Sequence, residues 1–181
     1  MKKLVILDRD GVINRDRIDS VKSISEFVFY PDVPQAINRL NQAGLKVAVA
    51  TNQSIVGRGI ITQEELDAIH THMIQELGKA NAKIDAIFMA TDHPDQASAR
   101  RKPGAGMLLE ALAQFGVSAD ESVVIGDSLR DLEAAKKAGI DRILVQTGKG
   151  KALAAEGLPP ALEPVLVMMN LSMAVRFLLN S

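Results

Sequence analysis

The chain has 181 residues, which suits one domain with room for a small insertion. Its 21 basic and 22 acidic residues leave a formal charge of −1, so there is no electrostatic case for nucleic acid or an anionic membrane as partner. It has no cysteine, which excludes disulfides and thiolate metal sites, and aromatic residues are only 3% of it, too few for base-stacking platforms.

After Met1-Lys2-Lys3 the apolar run Leu4–Leu7 is too short for a signal-peptide core. Its length and continuity predict a strand buried on both faces. Val33, Ala36, Ile37, Leu40 and Ala43 share one helical face, and Gly44 stops that helix. Lys46–Ala50 reads as the next strand. Thr62 with Glu65 makes a capping box, and Leu66, Ile69, Met73, Ile74 and Leu77 form the apolar stripe that follows. His70 and His72 lie on or beside this stripe and read as partly buried or surface residues. The methionines read as core filler. Ile84–Ala90 predicts a third strand and Met107–Phe115 a helix ending near Gly116. Ser122–Ile125, the helix Leu129–Ala138 and Arg142–Gln146 continue the alternation. Val165–Met168 predicts a sixth strand before a terminal helix capped by Asn170.

Strands alternating with helices predict an α/β fold: a three-layer open parallel sheet of Rossmann-like form. No run reaches the ~20 apolar residues of a spanning helix, so a cytoplasmic location is the expectation; the chain is also expected to be a monomer. Two long connections break the rhythm, Gly11–Asp32 and Thr91–Gly106, and such loops are usually functional.

Asp8 and Asp10 sit where the first strand ends. Residues two apart on extended chain point the same way, and Gly11 permits a sharp turn after them. Paired carboxylates can hold magnesium, or divide attack and proton transfer between them. Thr51-Asn52-Gln53-Ser54 ends the second strand with groups that can donate to phosphate oxygens. Arg101-Lys102 precedes a helix, and Asp127, with Asp131 four residues later, follows the fourth strand. Each signature alone also suits a turn, a solvated pair or a helix cap. Together they gather at strand ends, where open α/β sheets bind ligands. They supply what phosphoryl transfer needs: a nucleophile, a metal and fixed positive charge. The glycines of Gly104-Ala105-Gly106 make no dinucleotide loop, and no Walker-type Gly-Lys-Ser/Thr occurs.

The order Asp8-x-Asp10, Thr51-Asn52, Lys102, Asp127…Asp131 resembles the haloacid-dehalogenase-like (HAD-like) phosphatases over roughly residues 3 to 148. The stretches LDRDGVIN, ATNQS, RKPGAGM and GDSLRDLEAA resemble its heptose-1,7-bisphosphate 7-phosphatase family, with histidinol-phosphate phosphatases as relatives. The resemblance implies that Asp8 attacks phosphorus and Asp10 serves as acid and then base. It implies magnesium on Asp8, the Asp10 backbone carbonyl and Asp127. Thr51 and Lys102 would hold phosphoryl oxygens. Asn52 and Arg101 would touch the phosphate or the substrate beside it, and Asp131 would orient Lys102 or a water on the metal. It also implies a phosphorylated sugar as substrate, in the supply of activated heptose for lipopolysaccharide core. The expected layout is one domain over 1–181, with a small flap at about 12–30 and no large cap.

Two departures stand out. Family members commonly tie the loop corresponding to 90–103 with zinc on three cysteines and a histidine. Here only Asp92 and His93 could serve, so no zinc is expected. Ile55 stands where the family has glycine, while Arg58-Gly59 persists. Arg58, and Arg15 with Arg17 and Lys22 in the flap, are candidates for a second phosphate. Histidinol phosphate or another small phosphomonoester is the alternative substrate. A phosphoacceptor signalling domain is the competing class, although its accepting Asp belongs at the third strand.

Overall fold

The computed structural model describes residues 1–180. Strands β1 (Leu4–Leu7), β2 (Lys46–Asn52), β3 (Ala86–Ala90), β4 (Ser122–Gly126), β5 (Asp141–Val145) and β6 (Leu166–Met168) form one sheet. Their order is β3-β2-β1-β4-β5-β6, and every neighbouring pair is parallel. The order runs outward from β1 in both directions. The winding therefore reverses between β1 and β4, and the carboxyl ends of those two strands flank the crevice this reversal creates.

The helices are α1 (Val33–Gln42), α2 (Ser54–Gly57), α3 (Gln63–Lys79), α4 (Gly106–Phe115), α5 (Leu129–Lys137), α6 (Gly150–Glu156) and α7 (Leu171–Leu179). Alternate strand residues face opposite layers. Val5, Leu7, Val47, Val49, Val123 and Ile125 pack with the buried stripes of α1, α3 and α7. Leu4, Ile6, Ala48, Ala50 and Val124 pack with α4 and α5. Because β1 is buried on both faces, it reads as an unbroken apolar run.

The flap after β1 is anchored, since Val12, Ile13, Val21 and Phe27 are buried in the α1–α3–α7 layer. Its ends are stitched by Arg15 N–H to the Val28 carbonyl (2.8 Å) and Tyr30 N–H to the Ile13 carbonyl (3.1 Å).

Three details differ from the sequence reading. Strand β3 starts at Ala86 rather than Ile84, because the Asp85 carboxylate takes the Val47 amide (3.0 Å) in place of a strand carbonyl. On α3, Ile74 is exposed and His70 is buried. Ile74 lies roughly 80° around the helix from Leu66, at the margin of the stripe, whereas His70 falls within it. The short helix α6 was not foreseen. Its seven residues are too few to carry a clear apolar period.

Candidate active site

Asp8 follows β1 and Asp127 follows β4, the two central neighbours. The Asp8 amide donates to the Ile125 carbonyl at 3.0 Å, which continues the ladder and sets the two acids side by side. Gly11 and Gly148, both at positive φ (86° and 53°), pass so close to Asp127 that a Cβ on either would overlap its carboxylate. Asp131, in the first turn of α5, completes the group. Ligand atoms of Asp8, Asp127 and Asp131 all lie within 4.8 Å of one another.

Lys102 enters this group from the opposite side and is 3% exposed. Its Nζ donates to the Ala50 carbonyl (2.7 Å), to Asp131 Oδ1 (2.5 Å) and to Asp8 Oδ1 (3.0 Å). Burial works against its charge, but Asp131 and Asp8 more than offset that and hold the ammonium protonated. Burial pushes Asp8 up, with Asp131, Asp127 and Asp10 adding to it against Lys102. Burial likewise pushes Asp127 up to about 7, although the Lys149 amide donates to it at 2.8 Å. Three carboxylates thus face one ammonium, and negative charge is in excess.

Asp10 is held separately. Arg9 NH2 donates to both of its oxygens (3.0 Å each), Asn14 Nδ2 to Oδ1 (2.9 Å) and Gln53 Nε2 to Oδ2 (2.7 Å). Burial opposes its charge, yet Arg9 and the two amides keep its pKa below the ordinary value. The resting group is therefore a carboxylate, the form that activates water. A phosphate anion arriving beside it raises its proton affinity, which the acid role requires.

The other expected residues divide. Asn52 lines the pocket, but its amide is clamped to Lys102, donating to the Lys102 carbonyl (2.8 Å) and accepting from its N–H (2.9 Å). It positions Lys102. Thr51 lies buried beneath the pocket, and its hydroxyl oxygen accepts from Gln53 Nε2 at 2.8 Å. Asp131 Oδ2 also accepts from the Ser128 amide (3.0 Å) and hydroxyl (2.6 Å), so this acid caps α5 and holds Lys102 at once. Arg101 lines the pocket, with a buried NH1 that has no partner. Burial and the neighbouring Arg130 charge press its pKa down. Arg15 and Arg58 are exposed and do not line the pocket; of the flap candidates Arg17 does, and Arg130 and Lys149, which the sequence reading missed, join it. In the flap, the residue facing the site is set by loop packing, not by a residue-type pattern. Arg130 sits inside the Asp127–Asp131 motif and Lys149 shortly after β5, so position relative to a strand end was the available signal.

Loop 90–103 is ordered by polar contacts. The Ser98 amide donates to Asp92 Oδ2 (2.7 Å), and Arg100 grips Glu110 through two bonds (2.7 and 2.9 Å). The Gly57 amide donates to the Thr91 carbonyl and the Gly106 amide to the Ala99 carbonyl, both at 2.9 Å. His93 is 41% exposed and does not line the pocket. Ile55, in the glycine position, is buried in the α1–α3–α7 layer.

An excess of buried carboxylate oxygens with no nitrogen or sulfur donor fits a hard divalent cation. An aspartate after β1, a second two residues on, a lysine from across the crevice and acids after β4 make the arrangement of a HAD-like phosphohydrolase. A family model described as "HAD-hyrolase-like" matches residues 99–174. A D-glycero-β-D-manno-heptose-1,7-bisphosphate 7-phosphatase of Bordetella bronchiseptica is 47% identical over 158 residues, 87% of this chain and 88% of that protein. The Neisseria meningitidis enzyme of the same name is 44% identical over 82% of this chain and 80% of its own. The crystal structure of D,D-heptose 1,7-bisphosphate phosphatase from B. bronchiseptica, complexed with magnesium and phosphate, superposes with a TM-score of 0.93. Its identity is 43%, and 98% of each chain is covered. The chain belongs to the heptose-1,7-bisphosphate 7-phosphatase family of HAD-like hydrolases.

Proposed function

We propose that this protein removes the 7-phosphate of D-glycero-β-D-manno-heptose 1,7-bisphosphate, in the cytoplasmic supply of activated heptose for lipopolysaccharide core. The observation that carries this reading is a pocket that joins a nucleophile–lysine centre to a pair of guanidiniums, Arg101 and Arg130, with no carboxylate among the described residues bonded to either. One phosphate fits the centre, and a second anionic group on the same ligand matches the guanidiniums. Relatives named for the β anomer reach 47% identity, which supports that anomer.

Asp10 takes up a proton as the phosphate binds; Asp8 then attacks phosphorus, the bond to the sugar oxygen breaks, and Asp10 gives that oxygen the proton. Asp10 then takes a proton from water, which attacks the aspartyl phosphate and releases phosphate and the free Asp8 carboxylate. Lys102 holds phosphoryl oxygens and counters charge at Asp8. Magnesium on Asp8, Asp127 and the Asp10 backbone carbonyl would neutralise charge on the transferring group. The chain acts as one catalytic unit, with the flap of residues 12–30 beside the pocket.

The test is phosphate release with magnesium from both heptose bisphosphate anomers and from histidinol phosphate. The β bisphosphate should lead in kcat/KM by about tenfold or more, the ratio given by ~1.4 kcal/mol of extra transition-state binding. Equal, feeble turnover of all three refutes the assignment.

A further inference from the structure

Among the described residues, one buried network touches the site without belonging to its carboxylate–lysine centre. Arg9, between the two catalytic acids, is wholly buried. It does not line the pocket but lies beneath the flap, where its guanidinium is 5.9 Å from the Phe27 ring centroid. Its NH2 serves Asp10 and Gln53 Oε1 (3.1 Å), and its NH1 meets His70 Nε2 at 3.1 Å. Arginine can only donate, so His70 must accept and be neutral. Burial, and then the Arg9 charge, push its pKa down to about 4, in keeping with that. His70 is the one polar residue in the buried stripe of α3. A leucine there would pack as well and would leave NH1 of a buried cation unbonded.

We infer that His70 is a positioning residue for the reaction, acting through Arg9 to fix where the Asp10 carboxylate stands. This rests on the reading of Asp10 as the acid and base. His70 and Gln53 hold the guanidinium from two sides, and the guanidinium holds both oxygens of Asp10. Without His70 only NH2 is held, Nε having no partner, so the planar group can turn about the Cδ–Nε bond and Asp10 moves with it. Small misplacements of a catalytic group are costly, up to about 10²-fold for 1 Å.

A positioning role separates from a structural one by leaving group. The sugar alkoxide needs a proton to depart, and 4-nitrophenolate does not. kcat/KM reports the steps up to that departure. His70→Leu should lower kcat/KM about tenfold or more for the heptose bisphosphate and no more than about threefold for 4-nitrophenyl phosphate. His70→Gln, whose Oε1 can accept from NH1, should restore the bisphosphate value to within about threefold. Asp10→Asn is the reference and should show the same selective loss, larger. Circular dichroism establishes that each variant folds. If His70→Leu does not, His70→Asn, too short to reach NH1, replaces it. Equal losses on both substrates, or none, in a folded variant overturn the inference while leaving the Asp10 reading intact. An Asp10→Asn variant with no leaving-group dependence overturns that reading, and the inference with it.

Discussion

Replacing Lys102 by methionine tests the charge balance of the site directly. The variant keeps the stem and removes an ammonium that holds Ala50, Asp131 and Asp8 at 2.7, 2.5 and 3.0 Å. Two buried carboxylates then lose their counter-charge. Removing one partner of a buried pair costs about 3–5 kcal/mol, a fall in Tm of roughly 6–20 °C for a domain of this size. The sign of the pH dependence follows from Asp8, whose pKa is already raised by burial and its acidic neighbours. Without Lys102 it rises further, so protonation relieves the variant and its deficit is smaller at pH 6 than at pH 8. Magnesium should bind the variant more tightly than the wild type, because the cluster is one charge more negative. Phosphate release should nonetheless fall by about 10²–10³, the usual loss for one fixed donor to developing negative charge. Urea unfolding in EDTA at both pH values, magnesium titration by calorimetry and phosphate release measure these in turn. A stability change under about 1 kcal/mol, together with unchanged magnesium affinity, refutes the picture of a charge-compensating lysine.

Asp8→Asn should abolish phosphate release and raise the Tm of the metal-free protein at pH 8. A carboxylate with a raised folded pKa costs stability once pH exceeds its unfolded value, and the amide carries no such cost; thermal melts and a phosphate assay check both parts. His70 is neutral in the fold, with a pKa of about 4 against an ordinary 6.5, and it faces Arg9, Asp10 and Asp67. Its contribution is complete above pH 6.5 and is lost as pH falls towards 4, about 3 kcal/mol at most. Unfolding curves of His70→Gln should lack this segment of the wild-type profile. Arg101→Ala and Arg130→Ala should each raise KM for the bisphosphate about tenfold, near one charge-assisted hydrogen bond. The effect on 4-nitrophenyl phosphate, which has no second anion, should be smaller in steady-state assays.

Local chemistry was enough for the sheet and for the acids that gather at its carboxyl edge. The run Leu4–Leu7 is apolar because both faces of β1 are covered, and Thr62 with Glu65 caps α3 as their spacing requires. Asp8, Lys102, Asp127 and Asp131 were all readable as motif residues at strand or helix ends, and the fold brings them together. Ile74 fell outside the buried stripe because helical phase at the margin of a stripe is decided by what packs against it.

What the chain order could not express is which side chain faces the pocket from an irregular segment. Arg15 and Arg17 are alike in type and two residues apart, and only the path of the flap aims Arg17 inward. Arg9 fills the unspecified place in Asp8-x-Asp10, and it is a buried cation that orders one of the acids from below. Composition and period report on regular elements, where geometry repeats. Contacts such as Arg9 with His70, 61 residues apart, exist only once separate elements have packed.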